Sequence, residues 1–232
     1  MALQLLPTNQ YLICSTSKPL DITNELTISC FMKVLNKNVS HYIFFKWYQY
    51  YFYLDINKLR FQYFYAEGQT ADLLSDAFQI LDCFYLFTLT WKQPNVKFYL
   101  NGKFLSEKTS NYAIRPYSSN AQVSVSGTNT NMIIEDVRTY NRQLNAEEIA
   151  NIWNKNGLDD ITNGLVCRLK LNEYPEETIA TNSITDVSGY NLVFTPYNNP
   201  VYKRGVILSG TNNILDFVNW YQTNPIENYF NW

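Results

Sequence analysis

Histidine is almost absent from this sequence, and its scarcity removes several classes of functional site. His41 is the only histidine among 232 residues, which excludes a histidine-rich metal centre and argues against a Ser-His-Asp triad. Because His41 follows Ser40 in a polar stretch, we expect it to be a loop residue. No tract of Lys and Arg occurs and the formal net charge is −2, so nothing in the sequence favours binding of nucleic acid or anionic lipid.

Long apolar runs are missing as well. No run approaches the roughly 20 residues that a membrane-spanning helix requires. The N-terminal stretch MALQLLPTNQ has no basic n-region, and its apolar part is too short for a signal peptide. We therefore expect synthesis in the cytosol, no membrane insertion, and any export by a route that does not use a cleaved signal peptide.

Cysteines are few and follow no metal-binding pattern. Cys14, Cys30, Cys83 and Cys167 contain no CxxC pair. Cys30 belongs to an alternating apolar run, which makes it a core position. We expect buried free thiols, with one or more disulfides as the alternative.

Aromatic residues are abundant, at 16% with 19 Tyr, whereas charged residues make up only 16%. Tyr and Phe favour pleated, half-buried surfaces, which points to β-sheets. Residues 20–35 alternate, with Leu26, Ile28, Cys30, Met32 and Val34 on one face. Strand-like segments recur about every ten residues with turn residues between them, a spacing typical of a β-sandwich.

Two further segments refine this prediction. The aromatic block 42–65, interrupted by DINK, is interpreted as a hairpin of two long strands, followed by a polar link over 66–77. Asn101-Gly102 lies between apolar runs and predicts a tight hairpin, because both turn residues tolerate positive φ.

One short helix is specified over about 146–155. Asn145 is a suitable N-cap and Glu148 can complete a capping box, while Leu144 and Ile149 can form a hydrophobic staple. Gly157 is the expected C′ stop. The preceding strand MIIEDVRTY contains the acidic pair Glu135-Asp136, which we expect to point to opposite faces.

These motifs resemble the LamG-like jelly-roll domain of the concanavalin A-like lectin/glucanase superfamily over about residues 8–155. The family typically has a strand ending in T-W, a turn Y-V-N-G-K, and then D-V-R-I-Y-N-R-A-L-S-A-E-E-I. The matching residues are Trp91, Tyr99, Asn101, Gly102, Lys103, Asp136, Val137, Arg138, Tyr140, Asn141, Arg142, Leu144, Ala146, Glu147, Glu148 and Ile149. The resemblance implies an all-β, concanavalin A-like jelly roll of two antiparallel sheets with one short helix.

The remaining chain has an unusual order. The segments 164–173, 186–191 and 202–217 resemble the opening strands of the family, although here they follow the core. We therefore divide the chain into a LamG-like core, 1–158, and a tail, 159–232. The tail either completes the same sandwich in a permuted order or pairs with a neighbouring chain.

Catalysis is disfavoured by the pattern of acidic residues. A glycoside hydrolase needs two carboxylates flanking the scissile bond, on alternate positions of a strand that lines a cleft, and no such run occurs. Calcium is the one cofactor the loops could hold, through Asp186, Asn191, Asn212, Asn213 and Asp216, but Asp is sparse among them and turn-forming roles are the preferred interpretation. We predict no catalytic residues, no metal site and no cofactor.

The aromatic block supplies the candidate ligand-binding residues, because its rings occupy both faces of a hairpin and cannot all be core. These residues are Trp47, Tyr48, Tyr50, Tyr51 and Tyr63. Exposed Tyr and Trp offer rigid contact area for a protein or a sugar. The alternative is that one face lines the core and the other is covered by the tail or a partner.

LamG-like domains are generally found outside cells or on virus particles, so the resemblance implies a non-catalytic recognition or assembly module. The expected role is a virion structural protein, such as a capsid decoration, minor capsid or fibre protein. Its partners would be other structural proteins or copies of itself, and its location a virion or an extracellular surface. The alternative is a lectin-like carbohydrate-binding protein, and a glycoside hydrolase comes third.

Overall fold

Two antiparallel eight-stranded sheets pack face to face in the computed structural model of this chain. The structure describes residues 1–15, 18–117, 123–127 and 130–206. The buried apolar side chains between the sheets form one continuous core. The architecture is therefore the all-β jelly-roll sandwich that the sequence predicts.

Sheet I has the order β10-β9-β8-β3-β12-β1-β16, with β13 also paired to β12. Its strands are β1 (Ala2–Leu5), β3 (Glu25–Val34), β8 (Phe84–Lys92), β9 (Asn95–Leu100), β10 (Lys103–Thr109), β12 (Met132–Tyr140), β13 (Leu165–Leu169) and β16 (Val201–Lys203).

Sheet II has the order β14-β15-β2-β11-β4-β5-β6-β7. Its strands are β2 (Tyr11–Cys14), β4 (His41–Lys46), β5 (Tyr50–Asp55), β6 (Lys58–Ala66), β7 (Gln69–Leu74), β11 (Val123–Val125), β14 (Ile184–Thr185) and β15 (Val193–Tyr197). A 3₁₀ turn, Lys18–Leu20, and one helix, α1 (Ala146–Asn154), complete the regular elements.

The predicted alternation of β3 is confirmed. Leu26, Ile28, Cys30 and Met32 all belong to the core between the sheets. Their neighbour Phe31 points the other way and belongs to a second apolar cluster, on the outer face of sheet I. The pleat therefore divides this strand between two buried surfaces.

The aromatic block was predicted as two strands, and this is wrong. It forms three strands, β4, β5 and β6, because a turn at residues 47–49 interrupts the run before DINK does. In that turn the amide of Gln49 donates to the carbonyl of Lys46, and Tyr48 has a φ of 60°. The polar link predicted over 66–77 also contains a strand, β7, which forms the edge of sheet II.

The Asn101-Gly102 hairpin is confirmed, with φ angles of 51° and 78°. Gly102 also meets a second requirement, because α1 crosses directly above it. A Cβ atom at this position would lie 2.9 Å from the Cβ of Trp153 and 3.1 Å from the Cα of Ala150. Only glycine satisfies both the turn and the close approach of the helix.

The helix begins as predicted. The Asn145 side chain accepts from the amide of Glu148, and the Glu148 carboxylate accepts from the amide of Asn145, so the capping box is complete. The end differs by one residue, since Asn156 rather than Gly157 takes the C′ position. The amide of Asn156 donates to Trp153 and that of Gly157 to Ile152, which is the Schellman arrangement.

The helix covers the outer face of sheet I. Ile149 and Ile152 are fully buried against Phe31 and Leu86, and the indole of Trp153 stacks on Phe31 at 6.1 Å between ring centroids. Propensity alone would not hold so short a helix, whereas this apolar face and its caps do.

The acidic pair Glu135-Asp136 in the middle of β12 is structural. A register shift between Glu135 and Arg138 marks a bulge, and Asp136 has a φ of 50°. The buried carboxylate of Asp136 accepts from Arg138 and Arg168, each at 2.7 Å. Arg138 also donates to Asp159 at 2.8 Å and to the carbonyl of Gly157. This network joins β12, β13 and the segment after the helix.

The described part of the tail pairs within the same chain. β13 pairs with β12, β15 with β2, and β16 with β1. The boundary at residue 158 stays a prediction, and the resemblance over residues 210–217 lies outside the described residues.

His41 is not a loop residue, which corrects the expectation from the sequence. It is fully buried at the start of β4, where Nε2 donates to the carbonyl of Asn36 and Nδ1 accepts from the amide of Asn131. Burial lowers the pKa of its imidazole.

All four cysteines lie in the described part of the chain, and none of them forms a disulfide there; three are buried in the core. Burial raises the pKa of Cys30 and Cys167. Among the described residues, no helix is both long and apolar enough to cross a membrane.

Candidate functional site

A cleft of about 520 Å³ lies on the outer face of sheet II. Its floor is β11 and the residues that follow it, where Ser124, Ser126 and Gly127 are small. On one side rise Tyr11 and Ile13 of β2, the neighbouring strand. On the other side rise the aromatic residues of β4 and β5. The lining residues are Tyr11, Ile13, Tyr42, Phe45, Trp47, Tyr51, Gln62, Ser124, Ser126 and Gly127.

The pleat of sheet II explains this arrangement. Leu12, Phe52 and Phe61 point into the core, so their neighbours Tyr11, Ile13, Tyr51 and Gln62 point outward. In β4 a bulge between Tyr42 and Phe44 sends both Ile43 and Phe44 inward. As a result Tyr42 and Phe45 both face outward. In a regular strand, two residues three positions apart would point to opposite faces.

The aromatic wall is one connected group of rings. Phe45 stands at its centre, 5.4 Å from the ring of Tyr51, 5.6 Å from Trp47 and 5.7 Å from Tyr42. Phe45 itself is only 7% exposed, whereas Trp47 is 41% exposed. Phe45 therefore supports the wall from behind, and the rings around it form the surface that a ligand would contact. Burial raises the pKa of the Tyr51 phenol, which remains a neutral hydroxyl at physiological pH.

The opposite wall is reinforced by the tail. Tyr197 of β15 stacks on Tyr11 with ring centroids 4.7 Å apart and planes 14° from parallel. Tyr197 remains 43% exposed, so it extends the aromatic surface beyond β2. Tyr197 thus supports the site from β15, a strand that belongs to the tail and is absent from the LamG-like core 1–158.

The turn after β4 places two exposed rings at one end of the cleft. Tyr48 is 50% exposed and contacts Trp47, Phe64 and Tyr117 at 5.4–6.1 Å between centroids. Its amide donates to the Tyr51 hydroxyl. A bulky side chain at positive φ is uncommon, and such strain is concentrated at functional sites.

Three of the five predicted binding residues lie together at this site. Trp47 and Tyr51 line the cleft, and Tyr48 adjoins it. Tyr50 and Tyr63 are fully buried in the core, where their hydroxyls donate to the carbonyls of Leu20 and Tyr112. Neither is accessible to a surface ligand, which corrects that part of the prediction. They alternate with outward-facing neighbours, and the strand register was needed to tell the two faces apart.

Tyr11, Tyr42, Phe45 and the small-residue floor of β11 are part of the site but were not predicted from the sequence. The alternation of Tyr11 and Ile13 with Leu12 and Cys14 was a usable signal for β2. In β4 the bulge breaks the alternation, so a period of two does not identify its outward-facing residues. The floor can be identified only from the strand order, which places β11 between β2 and β4.

None of the described residues that line the cleft carries a carboxylate. On the same face of the sheet, Asp55 and Asp72 are both paired with Arg60. Within the described ranges, no three His, Cys, Asp or Glu side chains lie together as a metal site would require. Asp186, a calcium candidate in the sequence, accepts from Ser188 and from the amide of Arg168. The cleft is thus suited to binding through rings and hydroxyls.

Comparison with known proteins addresses the fold. Residues 6–150 match the family model Laminin_G_3, described as concanavalin A-like lectin/glucanases superfamily. A search of curated protein sequences gave no match.

Three solved structures illustrate the likeness, and at these identities it concerns the fold alone. A Bacteroides ovatus protein proposed to bind carbohydrate has a TM-score of 0.66 at 15% identity, over 87% of this chain and 59% of its own length. The CBM40 module of Ruminococcus gnavus IT-sialidase, bound to α2,3-sialyllactose, has a TM-score of 0.55 at 11% identity, over 65% and 95%. Botulinum neurotoxin type C, which interacts with two ganglioside molecules, has a TM-score of 0.53 at 14% identity, over 76% and 47%.

Proposed function

We propose, from the premise that this chain belongs to the concanavalin A-like lectin/glucanases superfamily, that it is a non-catalytic carbohydrate-binding module. Its ligand lies in the cleft on the outer face of sheet II. The observation that carries this proposal is the form of the cleft, in which aromatic walls stand on both sides of a floor of small residues. Such a concave, largely apolar site with a few hydroxyls is typical of small-ligand recognition.

The width of the cleft supports a sugar-sized ligand. The wall strands β2 and β4 both pair with β11, so they lie two strand spacings apart, about 10 Å. A ring in van der Waals contact with a wall lies about 3.5–4 Å from it. One layer of sugar therefore fits between the ring of Tyr11 and that of Tyr42. The Tyr and Trp rings supply apolar faces for the C–H face of the sugar, and their polar groups reach its hydroxyls.

The alternatives from the sequence differ in their support. The similar structures named above include a module bound to sialyllactose and a toxin that interacts with gangliosides, which agrees with the lectin-like alternative. Nothing in the comparisons supports a virion role, so capsid decoration and an extracellular or virion location remain predictions. Hydrolysis is the weakest alternative, because none of the described residues that line the cleft can act as the required acid.

The test is a glycan array followed by calorimetric titration of the strongest neutral or acidic hit. Trp47→Ala and Tyr42→Ala should each weaken binding about fivefold or more, since truncating an aromatic anchor at a contact costs about 1 kcal/mol or more. Phe104→Ala is the matched control, because Phe104 is 57% exposed but belongs to β10 in the other sheet. Its affinity should remain within about twofold of the wild type.

Two results would contradict the proposal. One is equal affinity in the Trp47 and Phe104 variants, which would place the ligand elsewhere. The other is the absence of any glycan ligand together with a stable oligomer that Trp47→Ala disrupts, which would make the cleft a protein interface. Thermal unfolding of each variant checks that the fold is retained.

A further inference from the structure

Arg115 differs from four other arginines of the chain in having no acidic partner among the described residues. Arg60, Arg138, Arg142 and Arg168 each have a carboxylate oxygen within 4 Å. No such pair includes Arg115 in the part of the chain that the structure describes, and its buried Nε–H has no hydrogen-bond acceptor. A guanidinium that is held in place without an anion is available to bind one.

The position of Arg115 is fixed by its surroundings. Its amide donates to the carbonyl of Phe64, and its carbonyl accepts from the side chain of Gln49. The guanidinium carbon lies 5.9 Å from the centroid of Phe64 and 5.1 Å from that of Tyr117. The group is therefore preorganised by two rings and by two contacts with the sheet II backbone and turn.

These rings connect Arg115 to the cleft. Phe64 lies 6.1 Å from Tyr48 and 6.0 Å from Tyr51, and Tyr51 lines the cleft. The aromatic surface is thus continuous from the cleft to the guanidinium. A ligand stacked on Trp47 or Tyr48 would present its next substituent to Arg115.

We infer that Arg115 forms an anion subsite and that the ligand is a glycan bearing a carboxylate, such as a sialic or uronic acid unit. The inference rests on the proposed function and narrows its ligand class. A carboxylate is favoured because its two oxygens match the parallel N–H groups of a guanidinium. The aromatic residues would hold the neutral part of the glycan, and Arg115 would select for the acid.

The test compares each acid with its own methyl ester, which removes the charge and retains the sugar. The probes are 3′-sialyllactose, trigalacturonic acid and the methyl ester of each. The wild type should bind at least one acid about tenfold or more tightly than its ester, since charge-assisted hydrogen bonds contribute roughly that much. Arg115→Gln should lose this preference while its affinity for the ester changes less than about twofold. Arg115→Lys should retain part of the preference for the acid, because lysine keeps the positive charge but lacks the parallel N–H donors of the guanidinium.

The outcomes separate this inference from the proposed function. Equal binding of acid and ester by the wild type, or an unchanged acid preference in Arg115→Gln, overturns the inference. If neutral glycans still bind in a manner that depends on Trp47, the proposed function survives that failure. Tighter binding of 3′-sulfolactose than of 3′-sialyllactose overturns the assignment to a carboxylate. Absence of binding to every glycan overturns both.

Discussion

The outer faces of sheets I and II differ in how far their aromatic side chains are buried. On sheet I the rings of Phe31 and Tyr140 are fully buried, covered by α1 and by the loop that follows β12. On sheet II the rings of Trp47, Tyr48 and Tyr197 are between 41% and 50% exposed. Both faces are rich in aromatic residues, but only one is covered by described elements of its own chain.

This difference locates the binding site better than composition does. On the covered face several polar groups are already paired: the hydroxyls of Ser29 and Thr88 bond to each other, and the hydroxyl of Thr27 accepts from the amide of Leu144. On the open face the rings contact one another and leave their outer surfaces free. Exposed apolar surface of this extent commonly marks a site for a ligand or a partner. Changes on the covered face should therefore affect mainly stability, and changes on the open face should affect mainly binding.

The largest effect is expected at the covered face. Arg138→Met should lower the free energy of unfolding by about 3–5 kcal/mol, because it leaves the buried carboxylate of Asp159 without its guanidinium. Denaturant unfolding measures this loss. Arg142→Met is the matched control, since the Arg142–Glu148 pair is partly exposed and should contribute about 1 kcal/mol or less. Equal losses in the two variants would contradict the role of the buried network.

A smaller effect is expected at the turn of the open face. Tyr48→Gly should be more stable than Tyr48→Ala by about 1 kcal/mol, because both remove the ring and only glycine accepts a φ of 60° without strain. Glycan affinity should fall equally in the two variants. A glycine variant no more stable than the alanine variant would show that the turn relaxes when the ring is removed.

The smallest effect concerns pH and acts on sheet II, which holds the chain's single histidine. Since burial lowers the pKa of His41 in the folded state, the unfolded chain binds the proton more readily. The stabilisation is therefore complete above a pH of about 6.5, the ordinary histidine value, and is lost as the pH falls from there through the lowered pKa. His41→Gln should remove this slope between pH 7 and pH 5.5, measured by denaturant unfolding. An identical slope in the variant would assign it to carboxylates.

Local signals in the sequence predicted the elements well. The alternation in β3, the Asn101-Gly102 turn and the capping box of Asn145 each depend on residues within a few positions of one another, so they could be identified without a structure. The family resemblance then supplied the fold, which the match over residues 6–150 confirms.

The candidate site was only half predictable, because it depends on contacts between distant parts of the chain. Tyr11 meets the cleft through the pairing of β2 with β11, more than 100 residues away. Deciding which of Tyr50 and Tyr51 faces the cleft requires the pairing register of β4 and β5, and the bulge in β4 shifts that register. Arg115 lies in a loop without periodicity, and only its contacts with Phe64 and Gln49 bring it to the aromatic surface.

The pairing of the first strands with the last has a consequence for biosynthesis. Almost 200 residues separate Leu3 from its partner Tyr202, and a similar distance separates Tyr11 from Tyr197. At a ribosome rate of about 5–20 residues per second, β1 and β2 wait on the order of ten seconds or more for these neighbours. During that interval each presents an unpaired strand edge to the solvent, the type of surface that recruits other chains. The nascent protein is therefore most vulnerable to aggregation just before its tail is translated.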